Sequence, residues 1–323
     1  MRGLLFTHFL FKDIFTEWLE YRRGDLKESS LIKYRNIVKT YLLPRFADKD
    51  IRTLSYEKVK NHIEELRQSG GRQHKGLSAA TLRTIVTVIK SIFCYASNTK
   101  RLKVAGLFEL KADSKQKEYR VLTTTEQISL EEKCREKLTH KDAGIILMLF
   151  TGIRIGELCA LKWSDIDLKN SSINISRTLQ RIQTEGEAVK TKIVETAPKS
   201  QKSIRQVPIT SNVMPVLEKI KGQPGEYLLS GKSKATEPRT MQRYIKSLTE
   251  KLSMKNVTCH TLRHSFATRC VEYRVDTKSL SEVLGHSSVQ ITMDRYVHPS
   301  MEMKRKSIDL MVKGMYRKEK VVE

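Results

Sequence analysis

The chain has 323 residues, 39% hydrophobic and 30% charged, which provides apolar surface for one large or two ordinary domains and is not the depleted composition of a disordered chain. Fifteen glycines and seven prolines exclude collagen-like or low-complexity material, and no apolar run reaches the ~18 residues of a membrane span. Sixty Lys and Arg against 36 Asp and Glu leave a net charge of +24, a surplus that points to a polyanionic partner, with nucleic acid ahead of an anionic membrane surface.

The opening MRGLLFTHFLF is followed by Lys12 and Asp13 and by no small-residue cleavage site, so no signal peptide is expected. Phe11, Ile14, Phe15, Trp18 and Leu19 then recur at helical spacing, and Gly24 ends the segment. Ser29 or Ser30 is placed to cap a second helix carrying Leu31, Tyr34, Ile37, Val38, Tyr41 and Leu42, with Pro44 as its stop. Ser55 opens a third helix that runs to the Gly70-Gly71 pair, and Ser78 opens a fourth that ends near Ala96. Four amphipathic helices make a small bundle over residues 1–110.

Residues 111–120, KADSKQKEYR, are charged, poor in apolar residues and without period, which predicts a linker. Over 121–323 a mixed α/β domain is expected. Thr123 with Glu126 forms a capping-box pattern, and Ala143 to Phe150 reads as a buried helix ending at Thr151-Gly152. Three short strands, around Ile173 and Ile175, around Ile193 and Val194, and over Ile204 to Ile209, predict one small three-stranded antiparallel sheet in an otherwise mainly α fold. The five cysteines, 94, 134, 159, 259 and 270, form no CxxC pair, so neither a disulfide framework nor a zinc ribbon is indicated and a reducing cytoplasm fits.

Four segments concentrate polar groups: TGIRIGEL with Arg154 and Glu157, APKSQKSIRQVPI with Lys199, HTLRHSFATRC with His260, Arg263 and His264, and LGHSSVQITMDRYVH with His286 and Tyr296. Each has an ordinary explanation. Arg154 and Glu157 are spaced as a helix ion pair. Lys199 fits a solvated turn. His260 and His264 are spaced as zinc ligands, but the intervening residues supply no general-base glutamate. Tyr296 fits a buried aromatic with a satisfied hydroxyl. As a set they describe narrower chemistry. Two arginines match phosphate oxygens with planar forks, two histidines and a lysine move protons near neutral pH, and a tyrosine hydroxyl can attack phosphorus. That is an equipment for phosphoryl transfer in which cationic side chains take the place of Mg²⁺, so no cofactor or metal is expected.

Arg154 in TGIRIGEL, His260-x-x-Arg263 in HTLRHSFAT, and LGH ending at His286 with Tyr296 ten residues on resemble, in their order, the tyrosine recombinase (phage integrase) family. The resemblance implies a SAM-like core-binding domain followed by a catalytic domain. It implies Arg154, Arg263, His260 and His286 around the scissile phosphate, with Glu157 supporting Arg154. Lys199 matches the family's leaving-group acid, with Lys202 as its neighbour and competitor. It further implies that Tyr296 forms a 3′-phosphotyrosine on specific double-stranded DNA sites, that a homotetramer carries out two strand exchanges, and that DNA-bending or directionality factors are candidate partners. The location implied is the bacterial cytoplasm and nucleoid, with no membrane.

The core-binding pattern begins near Phe11, so the small arm-binding domain of many integrases is not expected ahead of it in this sequence, and an integrase lacking its first domain is the alternative. TMDRYVH and the basic charge resemble integrases of phages and conjugative elements. An Xer-like dimer resolvase or a DNA invertase is the alternative within the family. A type IB topoisomerase shares the tyrosine chemistry, and a DNA-binding protein with a decayed site is the rival of another class. In the tail, Met303, Ile308, Leu310, Met311 and Met315 lie among basic residues, and the resemblance favours their docking on a neighbouring protomer over packing on their own domain.

Overall fold

The computed structural model describes residues 9–71, 75–107, 109–111, 119–184, 191–196, 203–296, 305, 308–309 and 311–312. The chain divides into two compact units, one of residues 1–118 with 182–190, the other of residues 119–181 with 191–323.

The first unit is helical. It contains α1 (Phe11–Tyr21), α2 (Glu28–Ile37), a π-helical turn (Val38–Leu42), α3 (Leu43–Phe46), α4 (Tyr56–Ser69) and α5 (Ala79–Asn98). Ser55 and Ser78 cap α4 and α5 as their sequences predict, each hydroxyl accepting a backbone N–H three residues on. Two expectations are corrected. The second helix starts after Lys27 and takes no side-chain cap, so neither Ser29 nor Ser30 is its N-cap. Nor does Pro44 stop it. The wide turn at Val38–Leu42 comes just before the proline, which sits at the start of α3, where its missing N–H costs nothing.

The helix α5 is long and apolar enough to cross a membrane by length and composition. Its Leu82, Ile85, Ile89 and Ile92 are buried in the core shared with Phe11, Trp18 and Val59, and the Trp18 indole N–H donates to Ser91 Oγ at 3.1 Å. Its exposed stripe runs through Arg83, Thr87, Cys94 and Ser97, so α5 is an amphipathic core helix whose broad apolar face accounts for its composition. Of the expected linker, residues 112–118 lie outside the described part of the chain.

The second unit opens with α6 (Thr124–Glu136), whose capping box between Thr123 and Glu126 is formed, and α7 (His140–Thr151). There follow α8 (Ile155–Ala160), β1 (Ile166–Asp167), β2 (Ser172–Ile175), β3 (Thr178–Gln183), β4 (Thr191–Thr196), β5 (Arg205–Pro208), α9 (Met214–Lys219), α10 (Pro238–Lys251), α11 (Cys259–Glu272), α12 (Thr277–Leu284) and α13 (Val289–Tyr296). Buried almost throughout, α7 packs against α6 and α11. The expected single sheet is two. β1, β2 and β5 form one antiparallel sheet, with Ile173 opposite Val207, while β3 and β4 pair separately. Alternation located the strands at Ile173, Ile193 and Val207, but period two carries no record of which strand pairs with which.

Candidate active site

Two helix ends prepare the site. The chain leaves α7 through Gly152, whose φ of +62° is the left-handed turn that glycine adopts without strain, and a Cβ there would stand 2.5 Å from the Phe266 ring. Arg154 follows and occupies the N-cap of α8. The second end is that of α12. Gly285, also at φ +62°, donates its N–H to Glu282 O at 2.9 Å, and His286 donates to Ser281 O at 3.1 Å, the paired bonds of a Schellman turn.

That turn leaves three consecutive carbonyls, each of which accepts from a different arginine. Arg205 Nε donates to Val283 O at 2.6 Å, Arg263 Nη2 to Leu284 O at 2.8 Å, and Arg154 Nη2 to Gly285 O at 2.7 Å. Negative partial charge at a helix C-terminus favours cations there, so three guanidiniums can gather without an equal number of carboxylates. Arg263, 5% exposed on α11, is tied again through Nη1 to Gly152 O at 2.6 Å. Burial, then the charge of Arg154, lowers its pKa to about 9, which leaves it charged at neutral pH.

Among the described residues, Glu157 is the one carboxylate hydrogen-bonded to these arginines. It accepts from Arg154 through both the backbone N–H (2.9 Å) and Nη1 (2.8 Å), and from Arg205 Nη2 (2.9 Å) and Nη1 (3.1 Å). Burial alone would push its pKa up; the hydrogen bonds and charge of Arg205, with the charge of Arg154, outweigh that and hold it below the ordinary value.

His286 is fixed in one tautomer. Arg263 can only donate, so His286 Nε2, 3.1 Å from Arg263 Nη2, is the acceptor, and Nδ1–H donates to Thr292 Oγ1 at 2.8 Å. In this state its N–H is directed at Thr292. The Tyr296 hydroxyl, at the last residue of α13, lies 2.8 Å from His264 Nδ1. His264 is neutral, its pKa lowered to about 4 by burial and then by Arg295, so one proton is shared along the bond between its Nδ1 and the tyrosine oxygen. Burial, then Arg263, lowers His286 to about 3. Burial raises Tyr296 above its ordinary value against the opposing charges of Arg263 and Arg295.

His260 is exposed on α11, its ring 6.4 Å from that of His264. A cavity of about 580 Å³ is lined by Arg154, His260, Arg263, His264 and His286 together with Tyr119 and Arg295. A larger hollow of about 850 Å³ beside Trp163, Asp165 and Asp167 gathers none of these groups. The expected site residues Arg154, Glu157, His260, Arg263, His286 and Tyr296 thus stand on α8, α11, α13 and the two turns around one cavity. Lys199 and its competitor Lys202 lie outside the described residues. Two participants, His264 and Arg205, had no assigned role in the sequence. The i, i+4 spacing from His260 marked the face His264 would take, whereas Arg205 carried no mark beyond the alternation of its strand.

The geometry is that of a pocket lined by arginines and neutral histidines, with a tyrosine hydroxyl bonded to one of its lining residues, carried on a mainly helical fold. Residues 115–303 match the phage integrase family, and residues 10–67 the phage integrase N-terminal SAM-like domain. A tyrosine recombinase XerC-like protein of Caldanaerobacter subterraneus subsp. tengcongensis is 26% identical over 93% of this chain and 82% of its own length. The ICEBs1 integrase of Bacillus subtilis is 25% identical over 85% of this chain and 75% of its own. In fold, the chain is similar to the Tn1549 transposon integrase in complex with transposon right end DNA, with a TM-score of 0.78 at 20% identity, covering 94% of this chain and 99% of that one. A lambda integrase tetramer bound to a Holliday junction has a TM-score of 0.66 at 17% identity, covering 91% and 80%. The chain belongs to the phage integrase family. It is a site-specific recombinase of the tyrosine class.

Proposed function

We propose that the chain is the integrase of a mobile element, cutting and rejoining double-stranded DNA at specific sites without metal or ATP. The observation that carries the reading is the convergence of Arg154 and Arg263 on the cavity at whose edge the Tyr296 hydroxyl is held. Tyr296 Oη attacks the scissile phosphorus; the new P–O bond replaces the bond to the 5′ oxygen, which leaves as a hydroxyl. Lys199 is the acid for that oxygen. Arg154 and Arg263 neutralise the equatorial oxygens, and His286 donates to one of them once the DNA anion has displaced its resting partners. His264 holds the tyrosine hydroxyl beforehand, and His260, exposed at the cavity, takes the acid/base role when DNA is bound. The 5′ hydroxyl of a partner duplex reverses the step, and the phosphotyrosine conserves the bond energy.

Four copies on two DNA sites complete the exchange, in the bacterial cytoplasm and nucleoid, with DNA-bending or directionality factors as further partners. Ile308, Met311 and Val312 are exposed, in keeping with a tail that docks on another copy of this chain. Nicked suicide DNA tests the chemistry: wild type should accumulate a covalent adduct in excess EDTA, and Tyr296→Phe should bind the same DNA and form none. An adduct from the Phe variant, or an absolute need for Mg²⁺, overturns the assignment.

The likeness to the XerC-like relative over 93% of the chain supports a second reading, a resolvase. Recombination between two unlike attachment sites supports the integrase; activity confined to pairs of identical sites supports the resolvase.

A further inference from the structure

Arg205 lies at the start of β5, its side chain 6% exposed, and does not line the cavity. Like Arg154, it bonds both Glu157 and the end of α12, but it does so from outside the cavity. Its two terminal nitrogens bracket the Glu157 carboxylate at 2.9 and 3.1 Å, while Nε reaches Val283 O at 2.6 Å and Nη1 also reaches Ser203 O at 3.1 Å. Glu157 in turn fixes the Arg154 backbone and guanidinium, and Arg154 returns to Gly285 O. The circuit Arg205–Glu157–Arg154–Gly285–Val283 is closed. Of its members, Arg154 and Gly285 line the cavity, and Arg154 is the one that brings a charge to it.

Building on the recombinase reading, we infer that Arg205 is a positioning residue of strand cleavage: by locking Glu157 and the end of α12 into one frame, it aims Arg154 at the phosphate and holds the turn that carries His286. Gly285 shares the constraint, since a Cβ there would stand 2.9 Å from Arg205 Nη1.

Removing Arg205 leaves Glu157 buried with Arg154 as its remaining hydrogen-bonded partner. The other titratable groups that face this cluster are the Arg263 guanidinium and His260 from α11 and the neutral His286 from the α12 turn, and α10, which packs on α8, buries only Met241, Ile245 and Thr249, none of which titrates. Glu157 then takes a proton more readily and releases the Arg154 guanidinium.

The test is single-turnover cleavage of nicked DNA at saturating protein, followed from pH 6 to 9 in the full chain. Arg205→Met should keep DNA affinity within about twofold, lower the saturated cleavage rate roughly 10-fold to 100-fold, and add an acid limb absent from wild type. Glu157→Gln in that background should remove the limb. Arg205→Lys keeps the charge on Glu157 but cannot also reach Val283 O, so it should lose rate without gaining the limb, and it carries the test if the Met variant does not fold. A Met variant with the wild-type rate, or with a slower rate on an unchanged pH profile, overturns the inference, as does a Lys variant that cleaves like wild type. Tyr296→Phe run in parallel separates the two ideas: an adduct from that variant sinks the recombinase chemistry itself, whatever Arg205 does.

Discussion

At the scale of single residues, the site is a problem in keeping positive charge together. Arg263 shows how this is done, with both terminal nitrogens on fixed carbonyls and a third bond to His286. Arg263→Lys keeps the charge but not the planar fork, so cleavage should fall on the order of 10²-fold while DNA affinity changes little, measured by adduct formation beside half-site binding. A Lys variant of full activity would mean that charge alone suffices. The neutral histidines make a second prediction. The pKa values of His264 and His286, about 4 and about 3, lie below the ordinary 6.5, so the unfolded chain binds protons that the folded chain refuses. Their contribution to stability is therefore complete above pH 6.5 and lost as pH falls toward 4 and 3. The melting temperature of the DNA-free protein should drop across that window, and His264→Asn should flatten the drop. An unchanged slope in the variant would assign the acid loss elsewhere.

Residue identities at the site were legible because reactive chemistry needs particular side chains at particular spacings. Arg154, His260, Arg263, His286 and Tyr296 could be listed from the sequence; the partner of the tyrosine hydroxyl could not. His264 and His260 lie on the same face of one helix, and which of them meets Tyr296 depends on how α13 packs, a relation across 32 residues. Arg205 was hidden more deeply, since its partners lie 48 and 78 residues away and its own segment shows only a strand pattern.

At the scale of elements, the turns decide more than the helices they join. Gly152 and Gly285 both take φ +62°, and each is crowded where a Cβ would stand, by Phe266 and Arg205. Gly285→Ala should therefore cost about 1–2 kcal/mol from the left-handed backbone alone, read as a lowered unfolding midpoint in urea. Cleavage should suffer more than stability, because the same turn presents Gly285 O and His286. Equal losses in both would make the turn a structural feature only. Helix starts at Ser55, Ser78 and Thr123 followed from local capping rules, since the bonds close within three residues. Strand partners and the wide turn before Pro44 did not, because pairing is set by distant chain and a proline alone does not say whether a helix stops or loosens.

At the scale of the whole molecule, two separately cored units share one basic chain with a surplus of 24 positive charges. Each neutralised phosphate releases condensed counterions, so affinity for DNA should fall steeply between low and physiological salt. The joined units should bind more tightly than either alone through effective concentration, which a comparison of the full chain with residues 1–111 and 119–323 would show. Affinity indifferent to salt would contradict the reading of the charge. Truncation before Ser307 should leave binding to one site intact and reduce pairing of two sites; equal loss of both would place the tail in its own domain.

The three arginines at the end of α12 have a consequence for the empty protein. A guanidinium carries five N–H groups. Arg263 uses three of them on Gly152 O, Leu284 O and His286, and Arg154 uses two on Glu157 and Gly285 O, so both planes are held by bonds that no substrate has to form. The N–H groups that these two arginines leave unused are the ones an entering tetrahedral oxyanion can take. Sulfate, phosphate and above all vanadate should therefore compete for the cavity and slow cleavage beyond what chloride does at the same ionic strength, so that the choice of buffer salt acts on this protein as an inhibitor as well as a screen.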